Sequence, residues 1–410
     1  MIINFSVQNF GSIKERQTLS FEADKSTHLE EHYIINAPGG LRLLKLALIY
    51  GANGSGKSTV LKALDFLLEM VMEPLGKKTD EFDFQPFLFD PHTPNENSIL
   101  AIEFIQNSVK YSYEIVFSKQ AIIHEQLNFY NPNKANIYKR TTDLAKQLTA
   151  ITFGSKIKVD KAFEKSLEAN TLWNRPVLGG FLKTNIEIKE LSEVIHWFFF
   201  FAKHTVGSTT PLQNFAESLI INKRVDKRDV LNVLKRADLN VSDIIFQKEE
   251  LQQSNTITTI TKTTIEHTVD NQLYKLPLEL ESDGTQRYYG FAALLCLLIK
   301  EPCVLPIDEL EASLHPELYI HFLLSFLMNA KQSQLIATTH NREILDNKDL
   351  FRNDAIWFTD KSETGATELY SLADFDTSAI RDTTNVLNAY KSGRLKGTPN
   401  LGDYYIDLSK

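Results

Sequence analysis

Gly51-Ala52-Asn53-Gly54-Ser55-Gly56-Lys57-Ser58 is the stretch that decides how this chain is read. An apolar run, Leu44 to Tyr50, leads into it, and a helical pattern with Val60, Leu64, Leu67 and Val71 on one face leads out. Strand, glycine-rich loop and helix in that order are the context of a phosphate-binding P-loop. The glycines let the backbone curl so that successive N–H groups point inward, and the helix adds the positive end of its dipole to the same concavity. A polyphosphate is the ligand that such a loop expects. Gly51 to Ser58, with Thr59 behind them, would cradle it, Lys57 would reach the β and γ phosphates, and the Ser58 hydroxyl would hold Mg²⁺. A glycine-rich turn that merely joins a strand to a helix is the bland alternative, and the complete motif in this context outweighs it. The loop alone names no activity, since kinases, GTPases, motors and transporters all use it.

The 410 residues are enough for two or three cores, and 43% apolar with 10% aromatic content indicates a globular chain. The two cysteines, Cys296 and Cys303, lie in apolar runs without metal-ligand or redox spacing and read as small buried hydrophobes of a reducing compartment. No basic stretch precedes an apolar block at the N-terminus, and Phe198 to Phe201 is too short to span a bilayer, so a cytoplasmic protein without membrane association is expected. A net charge of −8 argues against a chain that coats nucleic acid along its whole surface, while leaving room for a local basic patch.

Ile3, Phe5 and Val7 alternate with polar neighbours as in a half-buried strand, and Leu19 and Phe21 continue the pattern after a turn near Gly11-Ser12. The P-loop helix should stop at Met72-Glu73-Pro74. Two further strands, Ile99 to Ile105 and Val109 to Phe117, should turn at Gln106-Asn107-Ser108. From about Asp143 to Asn240 the pattern is helical, with stripes such as Leu212, Phe215, Leu219 and Val230, Leu231, Leu234, and no heptad array long enough for an extended coiled coil. Three regions are therefore expected: 1–142 with the P-loop, an inserted helical arm at 143–250, and a second half of the core at 251–410. In the arm, Lys223, Arg224, Lys227, Arg228, Lys235 and Arg236 form the densest basic cluster, which reads either as a solvated helix face or as a nucleic-acid contact, the former being the commoner case. The β-branched stretch Thr256 to His267 restores strand character.

Leu305-Pro306-Ile307-Asp308-Glu309 is an apolar strand ending in two carboxylates. Asp308 would sit in the outer shell of Mg²⁺, and Glu309 would orient and polarise the water that attacks the γ-phosphate. Pro306 cannot donate to a sheet ladder and should therefore lie at an edge or bulge. Around this strand stand Glu281-Ser282-Asp283-Gly284-Thr285-Gln286, Leu314-His315-Pro316 and Thr338-Thr339-His340.

This order of motifs resembles the ABC-type ATPase superfamily, in its soluble branch with SMC proteins and OLD-family ATPases. Val7 to Ser12 is similar to the start of that branch, Gly51 to Ser58 to its Walker A, Leu280 to Gln286 to its signature, Asp308 to Pro316 to Walker B with the D-loop, and His340 to the switch histidine. A compact group in bacterial anti-phage and abortive-infection systems, with AriA-like ATPases of PARIS systems and RloA-like proteins, is similar over about 1–130 and 255–400. Gly393 to Pro399 looks like its terminal motif. The signature departs from the transporter form at Asp283 and Thr285, but Ser282 and Gly284 are in place.

The resemblance implies an α/β fold with an ABC-ATPase-like P-loop core, a mixed sheet with helices and an antiparallel β subdomain, carrying an inserted helical arm. It implies ATP and Mg²⁺ as ligands, with Gln85 as the candidate Q-loop ligand of the metal and His340 on the γ-phosphate. Ser282, Asp283 and Gly284 would serve the nucleotide of another subunit, so that hydrolysis requires at least a head-to-tail dimer. OLD proteins carry a nuclease after the switch histidine, whereas here two strands, Ile356 to Phe358 and Glu368 to Leu372, a short helix and a tail are expected. A separate effector, such as a nuclease released by a phage trigger, is the partner so implied. A nucleotide-gated scaffold with little turnover, and a DNA-repair ATPase that touches DNA directly, remain the alternatives.

Overall fold

The computed structural model describes residues 1–237, 239–253, 256–375 and 385–399. The chain divides into two compact units: residues 1–206 with 303–308 and the described part of 334–410, and residues 207–302 with 309–333.

In the first unit the alternating run becomes Ile2–Gln8 (β1), paired antiparallel with Gln17–Ser20 (β2) so that Phe5 lies opposite Leu19. A short turn of helix, Glu30–Tyr33 (α1), leads into the hairpin Ile34–Ala37 (β3) and Leu41–Leu44 (β4). Leu46–Gly51 (β5) is buried along its whole length and runs into the P-loop, and Lys57–Met72 (α2) follows. Val60, Leu64, Leu67 and Val71 of α2 are at most 2% exposed. Burying each is worth about 2 kcal/mol, and this stripe holds the helix that starts at the phosphate loop.

Ser98–Gln106 (β6), Val109–Phe117 (β7), Ile122–Tyr130 (β8), Lys134–Asp143 (β9) and Leu148–Phe153 (β10) form an antiparallel meander that β1 and β2 complete, in the order β10-β9-β8-β7-β6-β1-β2. The turn from β6 to β7 is Asn107-Ser108, both at positive φ (45° and 64°), the handedness that matches strand twist. One expectation is corrected here: the chain is still sheet at Asp143, and helix starts only at Lys161–Asn170 (α3), where Asp160 accepts from the Phe163 amide at 2.7 Å. The reason is the period of β10, in which Ile151 is buried between the more exposed Ala150 and Thr152, so the side chains alternate as in a strand and not every third or fourth residue. Val177–Phe181 (α4) and Lys189–His196 (α5) follow. A buried network fastens this region to the meander. Glu125 accepts from Tyr113 Oη at 2.9 Å, Tyr138 Oη at 2.5 Å and the Val177 amide at 3.0 Å, with Arg140 3.7 Å away and donating to the Trp173 carbonyl at 2.8 Å.

Val304–Ile307 (β14), Gln334–Thr338 (β15), Ile356–Lys361 (β16) and Thr367–Ser371 (β17) join β5 in a five-stranded sheet of order β14-β15-β5-β16-β17, in which only β17 is antiparallel. Pro306 lies on the edge strand, as its missing N–H requires. Leu305 pairs with β15, while the Pro306 carbonyl faces outward and accepts from Val206 N at 2.9 Å. Val386–Lys391 (α10) closes the unit, and the tail beyond Pro399 lies outside the described residues.

The second unit holds Leu212–Ile221 (α6), Lys227–Arg236 (α7), the antiparallel Asp243–Gln253 (β11), Thr256–Val269 (β12) and Gln272–Pro277 (β13), then Asp283–Lys300 (α8) and Pro316–Asn329 (α9). The helix α8, buried from Arg287 to Leu298, is the centre on which α6, α7 and α9 pack. A Cβ on its Gly290 would stand 2.3 Å from Leu212 Cβ, so the approach of α6 depends on that glycine. The helices expected in one arm thus fall into both units, α3 to α5 in the first and α6 and α7 in the second.

Candidate functional site

The parallel strands of the first unit bring the motifs to one edge. β14 leads to Asp308, β15 leads to His340, β5 leads into the P-loop, and Thr359 on β16 is registered with Gly51. Ligands of open α/β sheets bind at this carboxyl edge, where helix N-termini and loop amides also collect.

At the P-loop, Gly51 has no room for a side chain: a Cβ would lie 2.4 Å from Thr359 Oγ1 and 2.7 Å from the Thr359 carbonyl oxygen. Gly56 takes φ 105° and caps α2 with no side-chain hydrogen bond, which leaves the first-turn amides unclaimed by a side-chain cap. A Cβ there would meet Thr367 Oγ1 at 2.1 Å. Lys57 is 6% exposed, and its ammonium donates to the Gly51 and Ala52 carbonyls at 2.9 and 3.1 Å, and so lies folded over the loop. Ser58 Oγ donates to Asp308 Oδ1 at 3.0 Å, and Thr338 Oγ1 donates to the same oxygen at 2.5 Å. A hydroxyl and a carboxylate, both hard oxygen donors, thus converge beside the start of α2, and this pair fits a magnesium ion. His340 is exposed just past β15, whose end is fastened to β5 by Thr339 N donating to the Ile49 carbonyl at 3.0 Å.

Three hydroxyls from outside the motif, those of Ser12, Thr359 and Thr367, frame the loop. Ser55 Oγ lies 2.6 Å from Thr359 Oγ1, Thr367 Oγ1 donates to the Ser55 carbonyl at 2.8 Å and lies 2.7 Å from Ser12 Oγ, and Ser12 Oγ is 2.9 Å from Thr59 Oγ1. Asn9, buried and at φ 51°, holds the turn that presents Ser12. Its Nδ2 donates to the Thr93 and Glu96 carbonyls, and its Oδ1 accepts from Phe87 N at 2.9 Å. Gln85 lies on the same loop, exposed, with its carbonyl accepting from Gly11 N at 2.6 Å beside Thr59 and Lys62. Its backbone is fixed next to the first turn of α2.

The other predicted residues belong to the second unit. Ser282 caps α8, with its hydroxyl accepting from Thr285 N at 3.1 Å and lying 2.9 Å from Thr285 Oγ1. The hydroxyl expected to face an anion therefore first satisfies its own helix. Asp283 opens that helix, where a carboxylate complements the dipole. A Cβ on Gly284 would stand 3.1 Å from the Ser313 carbonyl oxygen, which brings the signature against the turn that starts at Glu309. Glu309 is exposed at φ 53°, and its carbonyl accepts from Ala312 N at 2.9 Å. Glu281 is held by His267 of β12: Nε2 lies 2.6 Å from Glu281 Oε1 and Nδ1 lies 2.7 Å from the Asn240 carbonyl. Burial lowers the His267 pKa, but those two acceptors outweigh it and the net direction is upward. Of the basic cluster, Arg224 pairs with Glu301, Lys227 with Asp243 at 2.7 Å, and Arg228 with Asp226 at 2.9 Å.

A mostly parallel sheet with a P-loop at its carboxyl edge, an acid-ended strand two places from the P-loop strand and a separate antiparallel sheet make this an α/β, ABC-ATPase-like P-loop core, the architecture of a nucleotide-binding ATPase. The chain belongs to the family described as "AAA domain, putative AbiEii toxin, Type IV TA system", whose model matches residues 46–346. Comparison with curated proteins returns no match. Among solved structures the chain is similar to an SMC head bound to the C-winged-helix domain of ScpA, with TM-score 0.47 and 12% identity, covering 90% of this chain and 97% of that one. It is also similar to the SMC head domain from Thermotoga maritima, with TM-score 0.42 and 12% identity, covering 90% and 98%. A third similar structure is the Smc head with an extended coiled coil bound to the C-terminal domain of ScpA, derived from Pyrococcus furiosus, with TM-score 0.45 and 13% identity, covering 96% and 98%. No described helix is long and apolar enough to cross a membrane.

Proposed function

We propose that the chain binds Mg-ATP at the P-loop and hydrolyses it as a head-to-tail dimer. The observation that carries this reading is the meeting of Ser58 and Asp308 at 3.0 Å beside Lys57 and the start of α2, whose amides no side chain caps. The loop amides and Lys57 bind the phosphates, and Ser58 with Asp308 holds the metal, assisted by Gln85. Bound there, Mg²⁺ supplies charge neutralisation for the transferring phosphoryl group. Glu309 takes the role of base toward the attacking water, and His340 that of γ-phosphate contact. Ser282, Asp283 and Gly284 serve the site of the partner copy, so that closure depends on nucleotide.

The biological role we infer is control of a separate effector protein, such as a nuclease, in anti-phage defence, on the pattern of AriA-like and RloA-like ATPases. The family description, with its putative AbiEii toxin and toxin–antitoxin system, supports a defence role. The ion pairs of Arg224, Lys227 and Arg228 speak against the DNA-repair alternative.

The test is complex mass and phosphate release for the chain co-purified with the product of its neighbouring gene, comparing wild type with Glu309→Gln. Trapping of an ATP-bound dimer by Glu309→Gln, with changed partner retention, is the expected result. Partner release that is indifferent to the substitution would favour a nucleotide-gated scaffold, and a monomer inert to ATP would remove the hydrolase reading.

A further inference from the structure

We propose that the turn Gly393 to Pro399, delivered by α10, is a buttress that positions the P-loop and couples it to the segment after His340. The proposal rests on the reading of the P-loop as a nucleotide site.

Three backbones converge where β5 gives way to the loop. Gly397 is buried at φ 66°, and a Cβ on it would lie 3.2 Å from the Thr359 carbonyl oxygen and 3.8 Å from Gly51 Cα. Both neighbours are main chain and cannot swing aside as the tip of a side chain would. Gly51 and Thr359 are the last registered pair between β5 and β16 before the loop begins, and Thr359 is also the hydroxyl at 2.6 Å from Ser55. A displacement at Gly397 is therefore delivered to the first and fifth residues of the motif.

Two tyrosines fix the turn. Tyr390 Oη donates to the Gly397 carbonyl at 3.0 Å, and Tyr370 Oη donates to the Leu395 carbonyl at 2.9 Å. The Tyr390 ring stacks on Phe358 of β16 at 5.3 Å and meets Tyr50 of β5 edge-on at 6.1 Å. From the other side α10 is tied to the segment that follows the switch histidine: the Arg342 guanidinium lies 5.4 Å from the centre of the Tyr390 ring, and Asn385 Nδ2 donates to Asp346 Oδ1 at 2.6 Å. One small element thus touches both the root of the P-loop and the chain two residues past His340. Gly397 and Tyr390 act through Gly51 and Thr359, as positioning residues.

The experiment follows hydrogen exchange across 386–399 in the full chain, with and without Mg²⁺ and a non-hydrolysable ATP analogue, beside fluorescent-nucleotide affinity and melting temperature. The expected result is several-fold slower exchange of 386–399 on nucleotide binding in wild type, and no slowing in Lys57→Ala. Gly397→Ala should weaken nucleotide binding about tenfold or more, and Tyr390→Phe, which removes one hydrogen bond, about threefold. Tyr390→Phe should leave the melting temperature without nucleotide near that of wild type, and Gly397→Ala, which forces a side chain onto a positive φ, should lower it while the chain still folds. Nucleotide binding with unmoved exchange, or with wild-type affinity in both variants, overturns the buttress and leaves the P-loop reading intact. A wild-type chain that binds no nucleotide overturns the P-loop reading, and the buttress with it.

Discussion

Glu309 holds φ 53°, a conformation that costs a non-glycine residue about 1 kcal/mol or more, two residues past the end of β14 at Ile307. Strain of this kind persists where the surroundings impose it, and it collects at functional positions. Glu309→Gly should therefore keep or raise stability by up to about 1 kcal/mol, against the loss a glycine causes in a helix or strand, while phosphate release disappears. Urea unfolding beside a phosphate assay checks both halves, and a clear loss of stability would show that the Glu309 side chain itself holds the turn. At this scale the sequence was readable where residue types and spacing were tied to one ligand, as in Gly51 to Ser58. It was silent on Thr359 and Thr367, which reach the loop from the far end of the chain. A single hydroxyl separated from its partner by some 300 residues leaves no pattern to find.

Two ionic contacts show what joins the elements. His267 of β12 grips Glu281 one residue before the cap of α8, and both of its nitrogens face acceptors, so the protonated ring is the one that fits. Its folded pKa is raised, so the stabilisation is fully present below the unfolded value near 6.5 and fades as pH rises through the higher folded value. Melting temperatures of wild type and His267→Gln should accordingly differ at pH 6 and converge above the folded pKa; a constant gap would assign the histidine a packing role only. In the meander, Glu125 and Arg140 are both fully buried. Burial pushes the Glu125 carboxyl up even against Arg140 and its hydrogen bonds. Removing either partner alone should cost about 3–5 kcal/mol in urea unfolding, because it strands the other charge, and a double replacement should cost less than the sum. The strands β8, β9 and β10 were the least legible elements. Their outer faces carry charged and polar residues, as a solvated helix would, and only the period of two in residues such as Ala150, Ile151 and Thr152 tells them apart.

At the scale of the molecule, a net charge of −8 and the pairing of three arm cations with Glu301, Asp243 and Asp226 predict weak attraction to nucleic acid. Neutralising Lys223, Arg224, Lys227 and Arg228 together should leave DNA affinity unchanged at every salt concentration tested. A loss of affinity, with a shallower salt dependence, would revive direct contact through that cluster. The division of the chain was legible only in part. The P-loop unit follows from its motifs, but whether a helix joins the first or the second compact unit is decided by packing partners remote in sequence, such as Leu212 against Gly290.

Pro306 carries a consequence for how copies of this chain can meet. On the outer side of β14 the main chain is already engaged at Val304, Pro306 and Asp308, by bonds of 3.0, 2.9 and 2.8 Å to Lys203 and Val206. The proline adds a permanent gap in the row of donors. A foreign strand therefore finds no continuous rail along β14, and the five-stranded sheet cannot be lengthened there into a filament. Recognition at this flank is left to side chains, which can be selective about their partner in a way that main-chain zippering is not.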